Sequence, residues 1–219
     1  MKKQFAIIGM GRFGISIGSE LEALGHQVLA IEKSEAKVDA LSSQFTHCVQ
    51  ADCTDENSIR ALGLRNFDVV VVSVGDIQDS VMITLYLKEM GVPYVFAKAN
   101  SDIHAKLLYK IGADKVVFPE RDMGTRLAHG IASSNIFEVI ELSKDYTMVE
   151  IGVIKAWEGK SLREMDFRKH WGINIVAIRD ADGNMALTPG PDEPMRRGDT
   201  LIVVGKANEI ARLERELQE

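Results

Sequence analysis

The run Phe5-Ala6-Ile7-Ile8-Gly9-Met10-Gly11-Arg12-Phe13-Gly14 carries a short apolar strand directly into a glycine-rich turn that opens a helix. Few folds accommodate that order. In a strand-turn-helix unit of this kind the first glycine permits a tight turn and the second lets backbone amides approach a pyrophosphate. The third lets the helix close on the strand, and the helix N-terminus supplies partial positive charge. Gly9, Gly11 and Gly14 hold those three places. Arg12 stands inside the turn, where a guanidinium can fork onto phosphate oxygens beyond a pyrophosphate. The turn therefore suits a terminal phosphate.

The strand-helix unit then recurs along the chain. Apolar strands are predicted at Val28 to Ile31, His47 to Gln50, Val69 to Val72, Tyr94 to Ala97 and Lys115 to Phe118, with amphipathic stretches between them. That alternation predicts a Rossmann-like parallel sheet covered on both faces, and the valine run Val69-Val70-Val71-Val72 suits a central strand buried on both sides. In the first helix Phe13, Ile17, Leu21 and Leu24 recur at helical spacing and Gly25 marks the stop. Beyond about Asn135 strands succeed one another without long helices. A second, small α+β domain is expected over residues 135–219, after a nucleotide-binding domain with its crossover helix over residues 1–134. Within the small domain Ser161-Leu162-Arg163-Glu164 has capping-box spacing, Ile173 to Ile178 reads as a strand, and Asp182-Gly183 turns a hairpin into Met185 to Leu187. A strand at Leu201 to Val204 precedes a charged terminal helix from Ala207. With 219 residues, 46% of them hydrophobic, the chain can bury one good core and a smaller one.

Open α/β sheets bind ligands beyond the carboxyl ends of their strands, and polar residues gather there. Glu32 comes 18 positions after Gly14, the distance at which an acid accepts the hydroxyls of an adenosine ribose and disfavours a 2′-phosphate. Two readings stand for Asp52: a partner for the adenine amino group, or a cap for the helix beginning near Asp55. Lys98 ends the fifth strand, where an ammonium can meet phosphate. Glu120 lies in Pro119-Glu120-Arg121-Asp122 beyond the sixth strand. With Asp122 it either steadies the first turn of the next helix or, beside phosphate, takes a divalent cation such as Mg²⁺ or Ca²⁺.

Other chemistries fit poorly. A net charge of −6 argues against a nucleic-acid surface, which needs clustered Lys and Arg. His26, His47, His104, His129 and His170 have no metal-ligand spacing. Cys48 and Cys53 read as small buried hydrophobes, and Arg196-Arg197 reads as a solvated loop. No apolar run reaches the ~20 residues of a membrane helix, and no secretory pattern is present, so a reducing cytoplasm is expected. An NAD-dependent oxidoreductase remains compatible with the glycine turn and Glu32. Against it, the small domain holds one histidine, His170, and no evident acid or base poised over a nicotinamide.

The stretch Gln4 to Gly14, together with Arg65-Asn66-Phe67-Asp68, Ile111-Gly112-Ala113-Asp114, Pro119 to Gly124, Val149-Glu150-Ile151 and Gly172 to Ile178, resembles the Ktr/Trk regulators of bacterial potassium uptake, of the KtrA/KtrC type. The resemblance spans the chain. It implies a cytoplasmic, non-enzymatic RCK protein, peripheral to the membrane, that assembles as a homo-octameric ring under a KtrB- or TrkH-like membrane subunit. ATP and ADP would compete for one site, with NAD or NADH as the alternative ligands of an NAD-sensing regulator. The implied cofactor-binding set is Gly9, Gly11, Arg12, Phe13, Gly14, Glu32, Lys33, Ser34, Asp52, Cys53, Val74, Gly75, Asp76, Lys98, Ala99, Asn100, His104 and Glu120. Arg12 would reach a γ-phosphate, and Glu120 would help hold the cation between paired subunits. Cyclic di-AMP would bind the small domain near Leu162, Phe167, Arg168, Asn174 and Pro189. Relatives more often carry aspartate where Glu32 stands, and the loop near Gly75-Asp76-Ile77-Gln78 is one residue shorter here.

Overall fold

The computed structural model describes residues 2–132 and 136–217. It divides into two compact units, residues 1–119 and 120–219. The boundary expected between 134 and 135 lies outside the described residues.

The first unit runs β1 (Gln4–Ile8), α1 (Arg12–Ala23), β2 (Gln27–Glu32), α2 (Glu35–Leu41), β3 (His47–Gln50), α3 (Glu56–Ala61), a single 3-10 turn (Leu64–Asn66), β4 (Val69–Val72), α4 (Ile77–Glu89), β5 (Val95–Lys98), α5 (Asp102–Lys110) and β6 (Lys115–Val117). The six strands form one sheet in the order β3-β2-β1-β4-β5-β6, and each of its neighbouring pairs is parallel. Chain order reverses between β1 and β4, which opens a crevice at their carboxyl ends. The valine strand is central: Val70 and Val72 are inaccessible and Val71 is 4% exposed. Val70 and Val72 face a core with Ala6, Ile8, Ile83, Leu87 and Leu108, and Val71 faces one with Ile7, Met10 and Phe45.

The stripe expected on α1 is only partly the packing face. Ile17 and Leu21 pack on the second core, but Leu24 is 64% exposed. The closest approach to the sheet is made by Gly14 and Gly18, the buried residues of the helix. A Cβ on Gly18 would come within 2.6 Å of the Phe45 ring, so small size matters more here than apolarity. Strand limits also move by a residue: β5 takes in Lys98 and β6 stops before Phe118.

The second unit contains α6 (Pro119–Ala132), β7 (Ile136–Glu141), β8 (Tyr146–Gly152), α7 (Leu162–Met165), α8 (Phe167–Trp171), β9 (Asn174–Arg179), β10 (Met185–Leu187), β11 (Thr200–Lys206) and α9 (Ala207–Glu216). Its antiparallel sheet has the order β10-β9-β11-β8-β7. Burial alternates along β8, as in a strand with one face on the core. The capping box at Ser161 and Glu164 forms, and Asp180 ties the hairpin by accepting from the Asp182 and Asn184 amides. Val149, Ile151, Trp157, Phe167 and Leu213 build the core. Strand β7 and helix α8 are elements that the sequence pattern leaves unmarked. The expected Rossmann-like unit followed by a small α+β unit is the architecture observed.

Candidate functional site

The glycine turn is shaped by three different constraints. Gly9 adopts φ +91 and a Cβ there would sit 3.1 Å from the backbone of Ser73 and Val74 just beyond β4, so the close approach of the turn after β1 to the chain after β4 favours glycine. A Cβ on Gly14 would collide with the Gly9 carbonyl oxygen, so the fold itself requires that glycine too. At Gly11 a Cβ would meet no atom of the chain within 4 Å, so the space left there is not filled by protein. Helix α1 also begins without a side-chain cap, whereas Asp55, Asp76 and Ser101 cap α3, α4 and α5. The first-turn amides of α1 thus face outward with partial positive charge. Arg12 is the exposed first residue of this helix and makes no ion pair among the described residues. Phe13 beside it is half-buried.

Glu32, only 8% exposed, is bonded to this turn. Its Oε2 accepts from the Met10 amide at 3.0 Å, and its Oε1 accepts from the amides of Lys33 and Ser34 at 3.0 and 3.1 Å. Lys37 Nζ approaches Oε2 at 3.5 Å. Burial pushes the carboxyl up, but the Ser34 and Met10 amides and Lys37 more than reverse this and hold it below its ordinary value. Glu32 is therefore charged at neutral pH and anchors the turn, its four acceptor positions taken by the three amides and by Lys37 Nζ, the longest of the four contacts. Met10 and Lys37 are not in the expected set. Nothing marks an amide donor in sequence, and Lys37 acts through its place on α2.

Lys33 Nζ pairs with Asp52 Oδ2 at 2.7 Å, and Asp52 Oδ1 accepts from the Thr54 amide and hydroxyl at 3.0 and 2.6 Å. These bonds to Lys33 and Thr54 hold the Asp52 carboxyl at about 2. Capping of α3 is not its task, because Asp55 accepts from the Ser58 amide. Cys53 is 3% exposed, and its thiol, pushed up to about 12 mainly by burial, lies in the core.

Across the crevice, Val74 touches the space beside Gly9, and Asp76 caps α4 through the Asp79 amide. Asn100 Nδ2 donates to the Gly75 carbonyl at 2.6 Å, joining the loops after β4 and β5. Lys98 closes β5, and Ala99 is buried. His104 is inaccessible and accepts the Asn100 amide at Nδ1, 3.3 Å away. Glu120 and Asp122 lie in the first turn of α6, in the second unit. Among the described residues no group of three or more His, Cys, Asp or Glu side chains forms a metal site.

In the second unit Leu162, Phe167, Arg168 and Asn174 line one concavity of about 430 Å³ together with Arg163 and Pro191, a size within the ~300–1,000 Å³ of small-molecule sites. Pro189, expected there, is not among its lining residues, and Pro191 is. Both Arg168 Nε and Nη2 donate to Asn174 Oδ1, at 3.0 and 2.6 Å.

Among the described residues no helix is long and apolar enough to cross a membrane. Residues 5–119 match the TrkA-N domain family and residues 147–218 the TrkA-C domain family. The chain is 42% identical to Ktr system potassium uptake protein A of Bacillus subtilis, over 98% of this chain and 96% of that protein. It is 44% identical to Ktr system potassium uptake protein C of the same organism, over 98% and 97%. The GsuK channel, solved bound to NAD, shares the fold at a TM-score of 0.55 and 23% identity, covering 99% of this chain and 39% of that one. With an N-terminal Rossmann-like unit and a C-terminal unit that each match, the chain belongs to the Ktr/Trk family of potassium-uptake regulators.

Proposed function

We propose that this protein is the cytoplasmic regulatory subunit of a potassium-uptake system, peripheral to the membrane, and that it senses adenine nucleotides without transforming them. The observation that carries the reading is the turn at Gly9–Gly14. It combines an uncapped helix N-terminus, a vacant Cβ position at Gly11 and a charged Glu32 behind them. These residues suit a ligand with a ribose and a chain of phosphates. Glu32 Oε2 would receive a ribose hydroxyl in place of the Lys37 ammonium, its longest contact at 3.5 Å, the α1 amides would receive the inner phosphates, and Arg12 would meet a third. Lys98 and the Asn100-bonded Gly75 loop close the opposite side. ATP and ADP differ only at the phosphate Arg12 would reach, so Arg12 is the residue that tells them apart.

A homo-octameric ring of such subunits beneath a KtrB- or TrkH-like membrane subunit converts that difference into a signal only where one ring shape binds ATP better than another. A tenfold preference is worth ~1.4 kcal/mol per site, and sites in one ring add. Glu120, an acid of the first turn of α6, would hold Mg²⁺ or Ca²⁺ with phosphate oxygens and a paired subunit. The concavity at Arg168 and Asn174 would take cyclic di-AMP as a second signal.

The test is titration of ATP, ADP, NAD and NADH onto the wild type and Arg12→Ala, alongside transport by the reconstituted system. Arg12→Ala should lose ATP affinity and keep NAD affinity. Equal transport with saturating ATP and ADP would remove the switch, and binding of NADH alone would favour an NAD-sensing regulator.

A further inference from the structure

In a parallel sheet every strand begins at the same edge, so the amino edge of the first unit gathers the residues just before each strand. From β1 through β4 and β5 to β6, neighbours in that order, the edge presents Lys2 and Lys3, then Arg65, Tyr94, and Lys110 with Lys115. Elsewhere in the unit Lys33, Lys37 and Arg60 are held by carboxylates. The cations of this edge are all exposed and make no ion pair among the described residues. Its acids are turned inward. Asp68 accepts the Gln4 amide at 2.8 Å, and Asp114 accepts the Val95 amide at 2.7 Å and Lys88 Nζ at 2.9 Å. Glu89, in the last turn of α4, adds an exposed carboxylate. Cations thus outnumber carboxylates along this edge of a chain whose net charge is −6. Tyr94 and Tyr109 stand among them, 40% and 53% exposed.

These residue types complement an array of negative headgroups. Exposed lysines gain when they lie within a Debye length of an anionic surface, and tyrosine rings settle at headgroup level. Ammonium groups also suit spread charge better than the forked recognition of one phosphate. We infer that the amino edge docks this protein directly on an anionic lipid bilayer. The inference goes beyond the regulatory reading, in which the membrane is reached through a membrane subunit. The glycine turn lies at the opposite, carboxyl edge of the sheet, so nucleotide and lipid use different residues.

The test is flotation of the full-length protein, without nucleotide or membrane subunit, with vesicles of phosphatidylcholine alone or mixed with phosphatidylglycerol in equal parts. Wild type should float with the mixed vesicles only, and its affinity should fall on the order of tenfold or more in about 1 M salt, where the Debye length is about 3 Å. Lys110→Gln together with Lys115→Gln should weaken binding about 25-fold, about fivefold for each cation near the surface. Lys144→Gln together with Lys206→Gln removes the same charge from the second unit and should change binding by less than about twofold. All four side chains are exposed, and an unchanged Tm verifies folding. Hydrogen exchange on the vesicle-bound protein should slow in segments 2–4, 65–68 and 109–115. No binding to the mixed vesicles, equal loss from the two double variants, or protection confined to other segments would each overturn the inference. Equal retention on a DNA duplex would also overturn it, by making the edge a general polyanion surface. Failure here leaves the nucleotide and potassium-uptake readings standing, because neither component is in the assay.

Discussion

Replacing Glu32 by glutamine separates what this carboxylate does for the fold from what it would do for a ligand. Its two oxygens accept three backbone amides at 3.0 to 3.1 Å with 8% exposure. Glutamine keeps the shape, and its carbonyl can still serve Lys33 and Ser34. Its NH₂ group then faces the Met10 N–H, donor against donor. One charge-assisted hydrogen bond is lost, worth about 1.5–3 kcal/mol, which corresponds to a fall in Tm of roughly 5–10 °C for a unit of this size. Differential scanning calorimetry without nucleotide measures it. The folded carboxyl titrates below its ordinary 4.5, so the stability it contributes is complete above that value and is lost as pH falls through the lower folded value. The gap between wild type and Glu32→Gln should be constant from about pH 8 to about pH 5 and narrow as pH falls below 4.5. Equal Tm at neutral pH would refute the structural role and leave Glu32 a purely ligand-facing acid. A gap that does not narrow at all as pH falls below 4.5 to the acid limit of the fold would refute the assignment to ionisation.

Three further outcomes rest on the same geometry. Gly14→Ala, which drives a methyl into the Gly9 carbonyl, should cost about 1–3 kcal/mol in denaturant unfolding, whereas Gly11→Ala should leave stability unchanged and weaken nucleotide binding; equal destabilisation by both would contradict the separate roles of the two glycines. Cys53, held up to about 12 by burial, should resist iodoacetamide at mildly alkaline pH in the native protein and react only in denaturant, with stability declining above about pH 9 as the unfolded thiol ionises and the folded one does not; rapid native labelling would place the thiol elsewhere. Phe167 lines the second-unit concavity and meets Trp157 edge-on at 5.1 Å and Trp171 at 5.4 Å. Cyclic di-AMP should therefore change tryptophan emission, and Arg168→Ala should abolish the change while keeping the Tm, so a signal that survives Arg168→Ala counts against that site.

Periodicity and punctuation carried the sheet because they are local. Val69–Val72 can be read as a buried central strand from its own four residues, and Ser161 with Glu164 announces a helix start within one turn. Glycine identity carried the turn, since the three positions differ in reason but share a residue. What stayed hidden depends on partners distant in sequence. Leu24 and Leu21 look alike on a helical wheel, yet only the approach of Phe45 to Gly18 decides which edge of α1 meets the sheet. Strand β7 is an edge whose pairing with β8 leaves no alternating stripe to read. Polar residues were the hardest, because type and position at a strand end do not say which way a side chain turns. Asp52 and Asp55 are interchangeable as caps on paper, and the amide of Ser58 chooses Asp55. Glu32 and His104 make the point most sharply. Both stand where ligand contacts are expected, yet the first spends three acceptances on the backbone and the second is sealed beneath Asn100. A strand-end acid and a nearby histidine thus shape the crevice before anything enters it. Their substitutions should change the empty protein as well as the bound one, a consequence that contact with a ligand alone would not produce.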